Sequence, residues 1–152
     1  MTKNEQALLD TIAYAELGKQ LLELSDNGYN ILVGSIPPNR MLYLQSYSDH
    51  PRILVQSCNS TAAGRYQILM RIFDYYKKSL GLKDFSPDSQ DRIAMQLLKE
   101  CRSLEEINKG NFEEAVRRAK SRWASLPGAG YGQFEHKMEV LKNYYIISGG
   151  LN

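Results

Sequence analysis

The sequence predicts an α+β domain, mostly helical, with a small antiparallel β-sheet inserted after the first helix. Two observations carry this. Apolar residues recur at helical spacing near the N-terminus and again through the second half of the chain. Between them, the stretch 28–66 is rich in β-branched and aromatic residues and is broken by proline, glycine and asparagine. A chain of 152 residues fits one domain, long enough to bury a core without disulfides or a metal. The expected organisation is a single domain over 1–152, with a small β-containing lobe at about 28–66 and a helical lobe at about 67–152 that also takes in helix 1.

Helix 1 is expected to begin at Thr2, where Thr2 and Glu5 have capping-box spacing, and to stop near Gly18. Its apolar stripe is Leu8, Leu9, Ile12 and Ala13. "KQLLELSDNG" reads as either a short helical turn or a loop ending at Asn27-Gly28. "YNILVG" and "MLYLQSYS" read as strands, with Pro37-Pro38 between them. "YQILMRIFDYYKKSL" reads as an amphipathic helix ending at Gly81. The next helix has Ser86 as N-cap and Pro87 in its first position. Ser103 and Glu106 are spaced as a capping box, and Asn111 is placed to cap "NFEEAVRRAKSRWASL", which Pro127-Gly128 ends. The last helix is expected through "FEHKMEVLKNYYII".

Composition narrows the function classes. At 43% hydrophobic and 24% charged residues the chain is globular rather than disordered. The formal net charge is +2, and the basic cluster in "EEAVRRAKSR" reads as a solvated helix face. A weakly basic surface would suit a polyanionic partner such as a cell wall, but no basic-aromatic motif points to nucleic acid. Cys58 and Cys101 fit no metal spacing and are expected as buried, reduced thiols. His50 and His136 lack metal partners at a recognisable spacing, so no metal or cofactor is expected. "MTKNEQALLD" does not read as a signal peptide, and no run reaches the ~18 apolar residues that span a bilayer. Folding in a cytoplasm without stable membrane insertion is the expectation.

One residue breaks the pattern of helix 1. At about 100° per residue, Glu16 falls between Ile12 and Leu9 on the apolar stripe, in the last turn before Gly18. Partial burial and the negative end of the helix dipole both raise a carboxyl pKa. A carboxylic acid still protonated near neutral pH is what a general acid requires. Spacing alone also allows a glutamate that reaches past the apolar edge to solvent or to Lys19.

Longer motifs bear on that choice. "YSDHPR" (47–52), "STAAGRYQIL" (60–69), "LGLKDFSPDSQD" (80–91) and "WASLPGAGYGQFEHK" (123–137) resemble the bacteriophage lambda-type endolysins. These are peptidoglycan-cleaving lytic transglycosylases with a lysozyme-like fold. "YAELG" stands where the family has a "WSEG"-like stretch, and the resemblance carries the catalytic acid onto Glu16. Three departures are visible. Leu17 interrupts the family's "EG", Ala62 replaces a glycine in "STGAGRYQ", and Asn30 replaces an acidic residue in "GYDVIVGG".

The resemblance implies cleavage of the β-1,4 bond between N-acetylmuramic acid and N-acetylglucosamine, leaving 1,6-anhydro-muramic ends and causing host lysis. Glu16 would be acid and then base. A hydrolytic lysozyme would need a second carboxylate, for which Asp26 and Asp49 are the candidates. Both also sit in turn-forming strings. A non-catalytic glycan-binding module is the reading from another class. Glycan contacts are expected from Asn30, Ser60, Thr61, Tyr66, Gln67, Tyr131 and Gln133, since sugars take amides, hydroxyls and aromatic faces. Tyr66 reads equally as a core aromatic, Arg65 as a structural partner of an acid, and Trp123 as core. The implied partner is the peptidoglycan glycan strand, met by a monomer after release from the host cytoplasm by a holin.

Overall fold

The structure, a computed structural model, describes residues 1–130, 132 and 134–151. The helices among them are α1 (Lys3–Glu23), α2 (Met70–Ser79), α3 (Pro87–Glu100), α4 (Ser103–Asn108), α5 (Phe112–Ala119) and α6 (Met138–Ile147), with one 3-10 turn at Gln56–Cys58. They form two compact units. The first is Met1–Glu16 with Ala94–Asn152, and the second is Leu17–Ile93. The chain leaves the first unit inside α1, directly after Glu16, and re-enters it inside α3. The lobe expected at about 28–66 lies within the second unit.

The first unit is helical. The Thr2 hydroxyl accepts the Glu5 N–H at 3.2 Å and the Glu5 carboxylate accepts the Thr2 N–H at 2.8 Å, the reciprocal capping box. Behind it Leu8, Leu9, Ile12 and Ala13 are buried, as their spacing predicts. The expected stop at Gly18 is a break instead. Gly18 has φ 75° and ψ 162°, and α1 resumes to Glu23. Only glycine takes that backbone without strain.

Three first-unit details differ from the sequence expectation. Ser103 is not a cap: Arg102 holds that position, and the buried Ser103 hydroxyl donates to the Ala115 carbonyl at 2.8 Å. Asn111 makes no side-chain cap for α5 and donates its amide to Glu106 at 2.9 Å. Buried polar groups here find partners across the α4–α5 turn rather than locally. The last helix starts at Met138 rather than Phe134, because His136 N–H is engaged by the Ser125 carbonyl at 3.0 Å and Glu135 by two glycine amides. His136 therefore lies in the segment before α6, not on a helix face. Phe112 and Tyr145 stack at 4.6 Å between α5 and α6.

The second unit corrects the expected sheet. Among the described residues there is no strand, only isolated antiparallel bridges: Ile31 with Tyr43, Leu32 with Ala63, Ile36 with Arg40, Val55 with Ser60 and Ala63 with Ile68. Each pairing ends almost at once because a turn follows. Gly28, Gly34 and Gly64, and also Asn27, Asn59 and Gln67, have positive φ, and no ladder can extend through them. Cys58 is exposed here rather than buried, and both cysteines are free. α2 begins at Met70, later than its apolar pattern suggests. Gln67 at φ 50° cannot be helical, and the Thr61 hydroxyl accepts the Met70 N–H at 3.1 Å.

What replaces a sheet is a side-chain framework. The buried Gln90 amide nitrogen donates to the Tyr29 and Phe85 carbonyls at 3.0 and 2.9 Å, and its oxygen accepts the Arg65 N–H at 3.0 Å. Gly64 passes so close that a Cβ there would overlap the Gln90 carboxamide, and its φ of 79° independently demands glycine. Ala62, by contrast, has no positive φ, so alanine fits where the resembling family has glycine. His50 is buried with Phe73 and Phe85. Its Nε2 donates to the Ile68 carbonyl at 2.9 Å and its Nδ1 accepts the Arg52 N–H at 3.1 Å.

Candidate active site

Glu16 is partly exposed as a residue, and its carboxyl is largely withdrawn from water. Burial pushes its pKa up. The Ser125 hydroxyl and backbone amide act in the opposite direction, and the net shift is upward. The hydroxyl donates to Glu16 Oε1 at 2.5 Å. Ser125 comes from the turns that follow α5, where Trp123 and Leu126 are buried on either side of it. Trp123 is thus a core residue, 4% exposed. A carboxyl that favours its proton and faces neutral donors is equipped for general-acid work.

The other carboxylates considered as partners sit in the second unit and are held differently. Asp49 pairs with Lys77 at 3.0 Å and Arg52 at 3.1 Å. Burial opposes its charge, but Lys77 and Arg52 prevail and keep its pKa below the usual value. Asp26 accepts the Tyr47 hydroxyl at 2.6 Å, and its N–H donates to the Asn30 side chain at 2.9 Å. Both carboxylates do turn-fixing work.

The sugar-contact candidates of the second unit divide. Backbone bonds from Val33 N–H to Ala62 O (3.0 Å) and from Gly64 N–H to Ile31 O (2.7 Å) lay the loop carrying Asn30 beside the one carrying Ser60, Thr61 and Gln67. Ser60 accepts the Ala62 N–H and Thr61 the Met70 N–H, each at 3.1 Å, so both hydroxyls shape this loop. Gln67 is only partly buried, in a left-handed conformation uncommon for a side-chain-bearing residue, and its amide donates to the Gly64 carbonyl at 2.9 Å. Tyr66 is a correction. At 1% exposure its ring offers no face to a sugar, and its hydroxyl donates to Asp91 at 2.6 Å. Tyr29 donates to the same Asp91 oxygen at 2.9 Å. Burial and that carboxylate push the Tyr29 pKa up to about 12. Arg65 lies over the Tyr29 ring at 5.3 Å and donates to the Asn27 carbonyl at 2.6 Å, so its structural role is met by a carbonyl and an aromatic face. Tyr131 and Gln133 lie outside the described residues.

Sequence reasoning missed Ser125, His136 and Glu135 as site-forming residues. The Glu135 carboxylate accepts the amides of Gly128 and Gly130 at 2.9 and 2.8 Å and so closes the glycine-rich turn. The motif "WASLPGAGYGQFEHK" contained all three, but no local spacing links them to helix 1. Among the described residues, no group of three His, Cys, Asp or Glu side chains is placed to hold a metal, and no helix is long and apolar enough to cross a membrane.

The fold is that of a lysozyme. It superposes on a solved structure of bacteriophage lambda lysozyme complexed with a chitohexasaccharide, with TM-score 0.90 and 44% identity, covering 99% of this chain and 97% of that one. A second solved lysozyme from bacteriophage lambda gives TM-score 0.84 at 41% identity, covering 99% and 97%. The family model described as Endolysin matches residues 6–152. The endolysin of Escherichia phage lambda is 44% identical over 99% of this chain and 94% of its own length. That of Escherichia phage P2 is 39% identical over 98% and 94%. The chain belongs to the endolysin family: it is a lysozyme-like phage enzyme that degrades peptidoglycan.

Proposed function

We propose that the enzyme is a lytic transglycosylase in which Glu16 serves as acid and then as base. The Glu16 carboxyl protonates the glycosidic oxygen between N-acetylmuramic acid and N-acetylglucosamine, and the C1–O bond breaks. The cationic sugar is stabilised by its own N-acetyl group. The Glu16 carboxylate then takes the proton from the muramic C6 hydroxyl, whose oxygen bonds to C1 and closes the 1,6-anhydro ring. The acid is regenerated and no water is consumed. The observation that carries this reading is the desolvated Glu16 carboxyl, met by the Ser125 hydroxyl and backbone, while Asp26 and Asp49 are committed to Tyr47 and to Arg52 and Lys77.

Glycan contacts are assigned to Asn30, Ser60, Thr61 and Gln67, together with Tyr131 and Gln133. Tyr66 supports that loop from below through Asp91. The proposed partner is the peptidoglycan glycan strand, approached by a monomer that folds in the host cytoplasm and reaches the wall through a holin lesion.

Product analysis tests the reaction type. Digestion of purified peptidoglycan followed by mass spectrometry is expected to give muropeptides with anhydro-muramic ends, one water lighter than hydrolytic products. Reducing muramic ends would establish a muramidase instead. Release of no muropeptide at all would point to a glycan-binding module.

A further inference from the structure

Ser125 reaches Glu16 across 109 residues of chain, and the contact is fastened at both ends. On one side, Trp123 and Leu126 are buried to 4% and 0% exposure, and the Leu126 N–H donates to the Trp123 carbonyl at 3.2 Å. On the other, the Ser125 carbonyl accepts the His136 N–H at 3.0 Å. The His136 ring then returns to α1, where its Nε2 lies 3.1 Å from the Ala15 carbonyl. A carbonyl only accepts, so Nε2 carries the proton. Tyr14 flanks that ring at 5.5 Å and is itself stacked on Tyr144 at 4.1 Å. A closed circuit results: Glu16 carboxyl to Ser125 hydroxyl, Ser125 carbonyl to His136 amide, His136 imidazole to the residue before Glu16. A surface serine capping a stray carboxylate would need none of this bracing.

We propose that Ser125, held by His136, is a positioning residue for Glu16: the Ser125 hydroxyl orients the carboxyl and stabilises the anion left after proton donation. This rests on the reading of Glu16 as acid and base. The two steps make opposite demands. The first needs a carboxyl that keeps its proton until the substrate arrives, which desolvation supplies. It also leaves an anion in a dry site, and a fixed hydroxyl donor lowers the energy of that anion just as it forms. In the second step the same donor holds the carboxylate in place while it takes the C6 proton. The causes of Glu16's proton affinity are burial and Ser125. The titratable groups on the surrounding segments are Tyr14 and His136, whose rings lie 5.5 Å apart, and Glu135, which is engaged by the Gly128 and Gly130 amides.

The experiment is the pH profile of peptidoglycan cleavage for full-length Ser125→Ala, Ser125→Thr and His136→Gln beside wild type. Glu16→Gln serves as the reference, and melting temperatures check each fold. Cleavage by a protonated Glu16 fails as pH rises, so the alkaline limb of kcat/KM reports that group. Ser125→Ala is expected to move that limb to higher pH and to lower kcat by about 10- to 100-fold with KM little changed. Ser125→Thr keeps the hydroxyl and is expected to keep the limb where wild type has it. His136→Gln is expected to lower kcat without moving the limb, since its amide can still donate to Ala15. An unmoved limb in a folded Ser125→Ala, or a displaced limb in a folded Ser125→Thr, overturns the proposal. If Glu16→Gln cleaves like wild type, it is the acid-base reading that falls. If Glu16→Gln is inactive and the Ser125→Ala limb is unmoved, only the role of Ser125 falls.

Discussion

Glu16 in the first unit and Asp49 in the second are both carboxylates on the boundary between protein and water, and their surroundings are opposite. Asp49 is met by Lys77 and Arg52, and Arg52 is shared with Asp74 at 2.6 Å. Glu16 is met by a serine, with no cation among the causes of its shift. The first arrangement favours the anion and ties a loop to α2. The second favours the acid and leaves it able to give its proton up. A carboxylate locked between cations is spent on structure, whereas one held by neutral donors in a dry setting can cycle. The two units differ in the same sense. The first packs helices by apolar spacing and presents one awkward acid. The second holds its turns with side-chain-to-backbone bonds through Gln90, Arg65 and Thr61.

The contrast is sharpest in rate. Glu16→Gln is expected to reduce lysis by about 10³- to 10⁴-fold while leaving circular dichroism unchanged. Asp49→Asn is expected to keep activity within a few-fold of wild type. Equal losses in the two variants would erase the distinction.

The next largest effect tests the framework of the second unit. Gly64→Ala puts a Cβ against the pinned Gln90 carboxamide at a positive φ, and is expected to destabilise by about 2–4 kcal/mol in chemical denaturation. A loss of a few tenths would mean that Gln90 is not the strut described above. Asp49→Asn removes two partly exposed ion pairs, each worth roughly 0.2–1 kcal/mol after solvent screening, and is expected to lower the melting temperature by about 2–4 °C.

The pH dependence of stability gives smaller effects with determinate signs. The native fold holds Glu16's pKa above its ordinary value of 4.5, so the native state binds the extra proton. That contribution is lost as pH rises from 4.5 through the native value, after which wild type carries a poorly solvated anion. Glu16→Gln is therefore expected to melt higher than wild type, with a gap that widens toward alkaline pH. His50 runs the other way. Burial holds its pKa below 6.5, the unfolded chain binds the extra proton, and stability falls as pH drops below 6.5. His50→Gln is expected to flatten the acid side of a thermal-melt series, and an unchanged acid slope would remove His50 from the account.

Much of the helical structure was legible from local pattern. Thr2 and Glu5 announce the start of α1, Ser86 and Pro87 that of α3, and Leu8, Leu9 and Ile12 the buried face, because caps and stripes are properties of residues three or four apart. Ser86 does accept the Ser89 N–H, at 3.3 Å. The sheet was misread because β-rich composition over 29–48 says nothing about how soon a turn follows, and here turns interrupt every ladder after one step. Tyr66 was ambiguous for a related reason. Its neighbour Gln67 faces partly outward, and only the Asp91 partner, 25 residues on, shows which way the tyrosine goes.

The sequence by itself determined that helix 1 carries an acid on an apolar stripe and which family the long motifs resemble. Those are consequences of short-range geometry and of residue identity. Tertiary structure alone decided that Ser125 meets Glu16, that Asp49 is neutralised by Lys77 and Arg52, and that Tyr66 is buried. A carboxyl's proton affinity depends on burial and on donors brought from distant parts of the chain, and no spacing along helix 1 encodes those.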